Sequence, residues 1–165
     1  DIKLSNLVSD MNNVSPNKHD IYSIIMELFD DFTEDPNIHA DFDKYFDCYA
    51  EESTFIGTDA TEVWNKKEFK DWAKPFFDKK TTWNFKSLKR NIYFSKDGNY
   101  AWFDEILDTQ MKICRGSGVV EKVGGKWKVK QYVLSVTVPN EVVDEVTKIK
   151  APIEDALIQK LKITK

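Results

Sequence analysis

The sequence predicts an α+β domain in which helices come first and an antiparallel sheet follows, in the order α-α-β-α-β-β-β-β. Three observations carry this. Apolar residues recur at helical spacing through the first half of the chain, and four long β-favouring segments fill the second half. Two of the connections between those segments hold residues that tolerate positive φ, as tight hairpins need. Strands joined this way are antiparallel neighbours, and the helices must then cover one face of their sheet.

The first stretch, residues 1–17, is mostly polar with scattered Ile2, Leu4, Leu7 and Val8, and reads as a flexible arm. Ser15 followed by Pro16 supplies an N-cap and a proline at the first helical position, where a missing N–H costs nothing. Ile21, Ile24, Ile25, Leu28, Phe29 and Phe32 then form one apolar helical stripe. Asp35-Pro36 breaks it, and Phe42, Tyr45, Phe46 and Tyr49 make a second helical stripe before Glu52 to Gly57 turns to β-favouring residues. Asn65 with Glu68 three residues on resembles a capping box, opening a helix with Phe69, Trp72, Ala73 and Phe76 on one face and Pro75 to bend or end it. Trp83 to Ser95, Tyr100 to Thr109, Ile113 to Val123 and Lys126 to Val138 read as strands. Lys96-Asp97-Gly98-Asn99 and Gly124-Gly125 are the hairpin turns. Pro139 ends the last strand, Asn140 is positioned to cap a helix carrying Val142, Val143, Val146 and Ile149, and Ile153, Leu157 and Leu161 suggest a separate short piece beyond Pro152. There is no internal repeat and no low-complexity segment.

A chain of 165 residues suffices for one domain with a modest tail and a core that needs no staples. Lys plus Arg total 24 against 28 Asp plus Glu, for a net charge of −4, and no basic stretch is present to follow a phosphate backbone, so nucleic acid is not an expected partner. Cys48 and Cys114 form no C-x-x-C pair and read as buried free thiols rather than a zinc site or a disulfide framework. No run approaches the roughly 18 apolar residues that a membrane span needs. The sequence starts at Asp1 rather than Met, which leaves open a cytoplasmic location and export after removal of a signal peptide.

Four strings then carry a resemblance: EESTFIGTDATEVWNKKEFKDWAKPFF at 51–77, IYFSKDGNYAWFDEILDT at 92–109, CRGSGVVEKVGGKWKV at 114–129 and QYVLSVTVPNE at 131–141. Together they resemble the SnoaL-like branch of the nuclear transport factor superfamily, which includes ketosteroid isomerases and polyketide cyclases. The resemblance covers about residues 18–141. It implies a cone-shaped, strongly curved antiparallel sheet wrapped around the N-terminal helices, with a pocket between the concave sheet and the helices and common pairing into dimers through sheet surfaces. On that reading residues 1–17 are the arm, 18–141 the cone domain and 142–165 a C-terminal helical tail.

Asp104 and Glu105 are adjacent on a strand and point to opposite faces, so they cannot act as an acid and base pair on one substrate. Ala101, Phe103, Glu105 and Leu107 form the more apolar face, which places Glu105 inside with Phe103. A carboxylate on an apolar wall is a candidate general base or neutral donor, because desolvation disfavours its charge. The competing reading is a salt bridge to Arg90 or Arg115. Asp59 lies in the region where the resemblance to ketosteroid isomerases implies a catalytic carboxylate, although the surrounding motif differs, and its plainer role is in a turn. Trp64, Trp72, Trp83 and Trp102 supply flat surface suited to a ring-shaped ligand or to core packing.

A two-residue turn at Gly124-Gly125 sets Lys122 opposite Trp127, Val120 opposite Val129 and Gly118 opposite Gln131. Trp127, Val129, Gln131, Val133 and Ser135 then face inward. Arg115, a candidate anion-holding cation, shares the outer side with Lys128, Lys130 and Tyr132, and a single β-bulge reverses that placement. Gly116 and Gly118 read as points of sheet curvature rather than a phosphate cradle, since no helix start follows them. His19 and His39 leave no imidazole for a nucleophilic triad, and no clustered ligands for a metal are present. The resemblance implies a family many of whose members carry a histidine on the last strand, where this chain has Gln131, Val133 and Ser135 at the inward positions of the expected register.

The leading functional expectation is a domain that binds a small apolar or aromatic molecule, with Glu105 and Gln131 as polar contacts and Trp64, Trp72, Trp83, Phe103, Arg115 and Trp127 around it; no cofactor is expected. The alternatives are proton transfer of the isomerase or cyclase type with Glu105 or Asp59 as base, and a dimerisation or adaptor module with Tyr132, Leu134 and Val136 on a sheet-to-sheet interface.

Overall fold

The computed structural model describes residues 41–79 and 85–163. The arm at 1–17, the helix expected over Ile21 to Phe32, His19, His39 and Trp83 lie outside the described residues. Within them the elements are α1 (Phe42–Asp47), β1 (Tyr49–Ile56), β2 (Val63–Asn65), α2 (Lys66–Asp78), β3 (Lys86–Phe94), β4 (Tyr100–Thr109), β5 (Lys112–Val123), β6 (Lys126–Val136), a 3-10 turn (Asn140–Val142) and α3 (Val143–Ile163).

Local chemistry accounts for most of these boundaries. Asp41 caps α1 by accepting from the backbone N–H of Asp43 at 3.0 Å and of Lys44 at 3.1 Å. The helix ends at Asp47, earlier than the aromatic stripe suggests, because Tyr49 reaches the same core from an extended backbone, its hydroxyl 3.1 Å from that of Tyr45. The capping box at α2 is complete: Asn65 accepts from the Glu68 N–H, and Glu68 accepts from the Asn65 N–H at 2.9 Å. Pro75 sits inside α2 without ending it, since the helix runs one more turn to Asp78 and only one donor is missing. Gly98, Gly124 and Gly125 adopt φ of 70°, 57° and 83°, as the two hairpin turns require.

One six-stranded curved sheet results, in the order β2-β1-β6-β5-β4-β3. Strands β3 to β6 form the antiparallel meander, and β2 is a short antiparallel addition that the sequence did not signal. β1 pairs with β6 in parallel, so the sheet is mixed rather than wholly antiparallel. The whole of α2 and four strands separate β1 from β6, and such a distant pair is free of the direction a hairpin imposes. α1 and α2 pack on the β1 end, and the core between helices and sheet holds Tyr45, Phe46, Tyr49, Phe69, Phe103, Trp127 and Tyr132. Cys48 and Cys114 are buried thiols that are not joined in a disulfide.

The register of β5 and β6 begins as expected, with Lys122 opposite Trp127 and Val120 opposite Val129, and then shifts. Val119 pairs with Gln131 and Gly118 with Tyr132, leaving Lys130 as an extra residue. Side chains alternate along a strand, so one inserted residue turns over every face beyond it. Tyr132 and Leu134 therefore point into the core, while Gln131 and Ser135 are exposed. This overturns the inward placement of Gln131, Val133 and Ser135. It also removes Tyr132 and Leu134 from any sheet-to-sheet interface. The insertion lies in β6, not β5, so β5 keeps Cys114, Gly116, Gly118 and Val120 inward and Arg115 outward.

α3 is one helix of 21 residues that passes through Pro152, where two pieces were expected. A proline inside a helix removes one N–H bond without obliging the chain to stop, and residues on both sides keep helical geometry. None of the residues of α3 is buried.

Candidate functional site

The inner face of β4 alternates Ala101, Phe103, Glu105 and Leu107, and Glu105 is 1% exposed. Arg90 stands opposite it on β3, donating from Nε at 2.9 Å and placing Nη2 2.8 Å from Glu105 Oε2. Tyr132 donates its hydroxyl to Glu105 Oε1 at 2.9 Å from β6, two strands away. That reach is possible because Gly116, the β5 residue between them, has no side chain: a Cβ there would lie 2.3 Å from Tyr132 Oη and 2.7 Å from Glu105 Oε1. Gly118 does the same for Phe103, whose ring a Cβ would meet at 2.7 Å. The two glycines thus admit the large side chains of neighbouring strands, a role distinct from curvature alone.

The salt bridge weighed for Glu105 is therefore formed with Arg90, and Arg115 takes no part. Both carboxylate oxygens accept hydrogen bonds. Burial holds the Tyr132 phenol well above its ordinary 10.0, and the neighbouring Glu105 charge raises it further. Tyr132 is accordingly a neutral hydroxyl whose proton is committed to Glu105.

Tyr132 also forms part of the wall of a cavity of about 180 Å³. The inner end is built by the buried residues Tyr45, Phe85, Tyr132 and Leu134, with Met111 beside them. Phe55 of β1, Trp64 of β2 and Trp72 of α2 supply aromatic side walls. Phe55 stacks on Trp64 with ring centroids 6.0 Å apart, and Trp64 on Trp72 at 4.8 Å. Gly57, Thr58, Glu62 and Gln110 complete the more open end.

The β1–β2 loop shapes that end. Gly57 N–H donates to the Glu62 carbonyl at 2.9 Å and Glu62 N–H to the Asp59 carbonyl at 3.0 Å, which closes the turn. The Glu62 side chain accepts from the Asp59 N–H at 3.1 Å. Asp59 accepts from Thr61 N and Oγ1 at 2.8 and 2.6 Å, and these bonds hold its carboxyl below the ordinary carboxylate value. Asp59 is exposed and serves its own turn.

Of the residues that the sequence singled out, Trp64 and Trp72 come together on this cavity. Phe103 and Trp127 are buried in the core and do not line it. Gln131 and Arg115 are exposed on the outer face, Gln131 because of the Lys130 insertion and Arg115 because β5 alternates without interruption. Glu105 lies behind Tyr132 and is not among the lining residues. Glu62 was missed. The sequence held no signal for it, because the strand beside it was not legible and the turn from Gly57 to Glu62 aims its side chain. Among the described residues no group of three or more His, Cys, Asp or Glu side chains is placed to hold a metal ion, and no helix is long and apolar enough to cross a membrane.

Comparison with known proteins agrees with this architecture. A family model described as a SnoaL-like domain matches residues 25–139. No curated protein matches the chain. Among solved structures, a domain of unknown function with a cystatin-like fold from Nostoc punctiforme is similar with a TM-score of 0.63 and 13% identity, over 92% of this chain and 96% of that one. An NTF2-like protein of unknown function from Pseudomonas putida KT2440 is similar with a TM-score of 0.58 and 13% identity, over 74% of this chain and 87% of that one. At such identities the likeness concerns the fold.

Proposed function

The chain belongs to the SnoaL-like domain family, and from that premise we propose that it binds a small apolar or aromatic molecule in the cavity between the sheet and α2. The observation that carries this is the run of parallel-stacked rings, Phe55, Trp64 and Trp72, along a cavity of about 180 Å³. Apolar walls with a few polar groups at one end are the usual make-up of a small-molecule site. A cavity of about 150 Å³ already accepts benzene, so the space suits a single-ring compound. Proton transfer in the same cavity would need a carboxylate open to the ligand. Neither expected base meets that need, since Glu105 is held by Arg90 and Tyr132 and Asp59 is folded into its turn, so binding is better supported than proton transfer by either of them. Tryptophan fluorescence titrated with indole-free single-ring compounds such as toluene and benzyl alcohol tests it: saturable change that is weakened by Trp72→Ala is expected. The absence of any saturable response across such a series, together with native mass spectra of the bare chain only, would sink it.

Homodimerisation through the outer sheet face has support of its own. Tyr93 and Trp102, 45% and 47% exposed, stack there with centroids 6.0 Å apart. Exposed paired rings are enriched where proteins associate. Sedimentation of the chain as a dimer that Trp102→Glu converts to a monomer is the expected result, and a monomeric parent at high micromolar concentration would reject this interface.

A further inference from the structure

We propose that the exposed apolar stripe of α3 pairs antiparallel with the same stripe of a second copy of this chain. This contact is separate from the ligand cavity and from the outer sheet face.

The helix calls for a partner on physical grounds. α3 has 21 residues, none of them buried, and among the described elements its principal contact is the short 3-10 turn before it. A helix draws most of its stability from packing an apolar face. This one also holds Val143, Val146, Thr147, Ile149, Pro152 and Ile153 in its first half, residue types that lower intrinsic helix propensity. Ile149, Ile153 and Ile163 are 72%, 76% and 82% exposed. From Val142 onward, Val146, Ile149, Ile153, Ala156, Lys160 and Ile163 follow the alternating spacing of four and three that a two-helix seam needs, and Lys160 is the one charge on it.

Charge selects the occupant and its direction. Asp144, Glu145, Glu154 and Asp155 balance Lys148, Lys150, Lys160 and Lys162, so α3 has no net charge to favour a strongly acidic or basic surface. Its charges are nevertheless ordered, with Asp144 and Glu145 in the first turn and Lys160 and Lys162 in the last. Two copies running the same way would set Lys160 against Lys160. Running opposite ways, the acidic turn of each faces the basic turn of the other, and the helix dipoles oppose as well. Lys160 also has an interaction within its own chain, and its charge rather than a vacant donor is what orients the pair. With a two-fold axis level with Ala151, Ile149 meets the partner's Ile153, Val146 the partner's Ala156, and Lys160 the partner's Val142, beside the partner's Glu145. Lys150, which nears its own copy at the axis, is ion-paired with Glu154 at 2.9 Å. The stripe expected over Ile21 to Phe32 is the rival occupant, but it is roughly half as long as α3 and would leave one end of the seam bare. Three layers, each occurring twice, make a contact at or below the about 1,200 Å² where standard interfaces begin, so it forms at high protein concentration.

Cysteine cross-linking of the full chain tests the pairing and its direction. Ile149→Cys mixed with Ile153→Cys should form disulfide-linked dimers at least about fivefold faster than either variant alone, because only the mixed pair falls in one layer. Cys48 and Cys114 are buried, so the unmodified chain serves as the blank. Faster linkage of either variant with itself would overturn the antiparallel register. No linkage above the blank at millimolar protein would overturn the pairing altogether. Ile153→Asp should leave the melting temperature of dilute protein unchanged, since that side chain is exposed in the single chain. A fall of several degrees would show that the stripe is covered within its own chain, and would equally overturn the proposal.

Discussion

Gly116→Ala is expected to destabilise the domain by about 2–5 kcal/mol, although it adds a single methyl group to a strand. The new Cβ would sit 2.3 Å from Tyr132 Oη, 2.7 Å from Glu105 Oε1 and 2.9 Å from Glu105 Cγ. Neither neighbour can retreat, because Tyr132 is 0% exposed and Glu105 is tied to Arg90 through its other oxygen. Losing a hydrogen bond to a charged acceptor costs about 1.5–3 kcal/mol. Forcing extra volume into a packed core adds about 1–3 kcal/mol. Replacing glycine by alanine in a strand returns about 0.5–1 kcal/mol of backbone entropy, which the clash outweighs. For a chain of this length each kcal/mol lowers Tm by about 2–4 °C, so a fall of roughly 5–15 °C is expected in a circular-dichroism melt. Urea denaturation of a double-mutant cycle supplies the sharper check: in a Tyr132→Phe background the nearest clashing atom is gone, and the cost of the alanine should drop by at least about 1 kcal/mol. If Gly116→Ala unfolds within about 0.5 kcal/mol of the parent, or the two changes add without coupling, the close approach of three strands at this point is refuted.

Three further outcomes can be measured. Arg90→Met leaves the buried Glu105 without its guanidinium and should cost about 3–5 kcal/mol in urea denaturation, most of it recovered when Glu105→Leu is added; no recovery would show that the pair is not what the loss reports. Tyr45, Tyr49 and Tyr132 have folded-state values raised above 10.0, chiefly by burial, so their contribution to stability is full below that pH and is lost as pH rises beyond it. Phenolate absorbance from these three should therefore appear only together with loss of ellipticity, and three early-titrating phenols in folded protein would contradict their burial. At the acid end, the hydrogen bond from Lys128 and then its charge hold Asp47 below its ordinary 3.8, so the stabilisation is present above that value and lost as pH falls through the lower folded one. Lys128→Met should flatten the acid limb of stability slightly, the pair being largely exposed, whereas an unchanged limb would remove Asp47 from the account.

The sequence by itself determined what depends on neighbours a few residues apart. Asn65 and Glu68 fulfil each other's backbone needs across one helical turn, and Gly98, Gly124 and Gly125 permit the φ values of their turns. Strict alternation put Glu105 with Ala101, Phe103 and Leu107 on the inner face of β4. The strand positions in the meander followed from the same period of two. What only the tertiary structure decided involves strands brought together across long separations. One extra residue at Lys130 sends Tyr132 inward and Gln131 outward, and a period-two pattern carries no mark of where such an insertion falls. Arg90 meets Glu105 because the β3–β4 hairpin keeps one register from Phe94 opposite Ala101 to Arg90 opposite Glu105, and that Arg115 has no share in the pair was decided by the β5–β6 packing that keeps it outward. Gly116 is empty for the sake of a tyrosine one strand away, Glu62 is aimed by a loop that closes on itself, and β1 runs parallel to β6 because its direction was never set by a hairpin. Local backbone preferences are written in adjacent residues, whereas register and facing are settled by packing energy summed over the whole sheet.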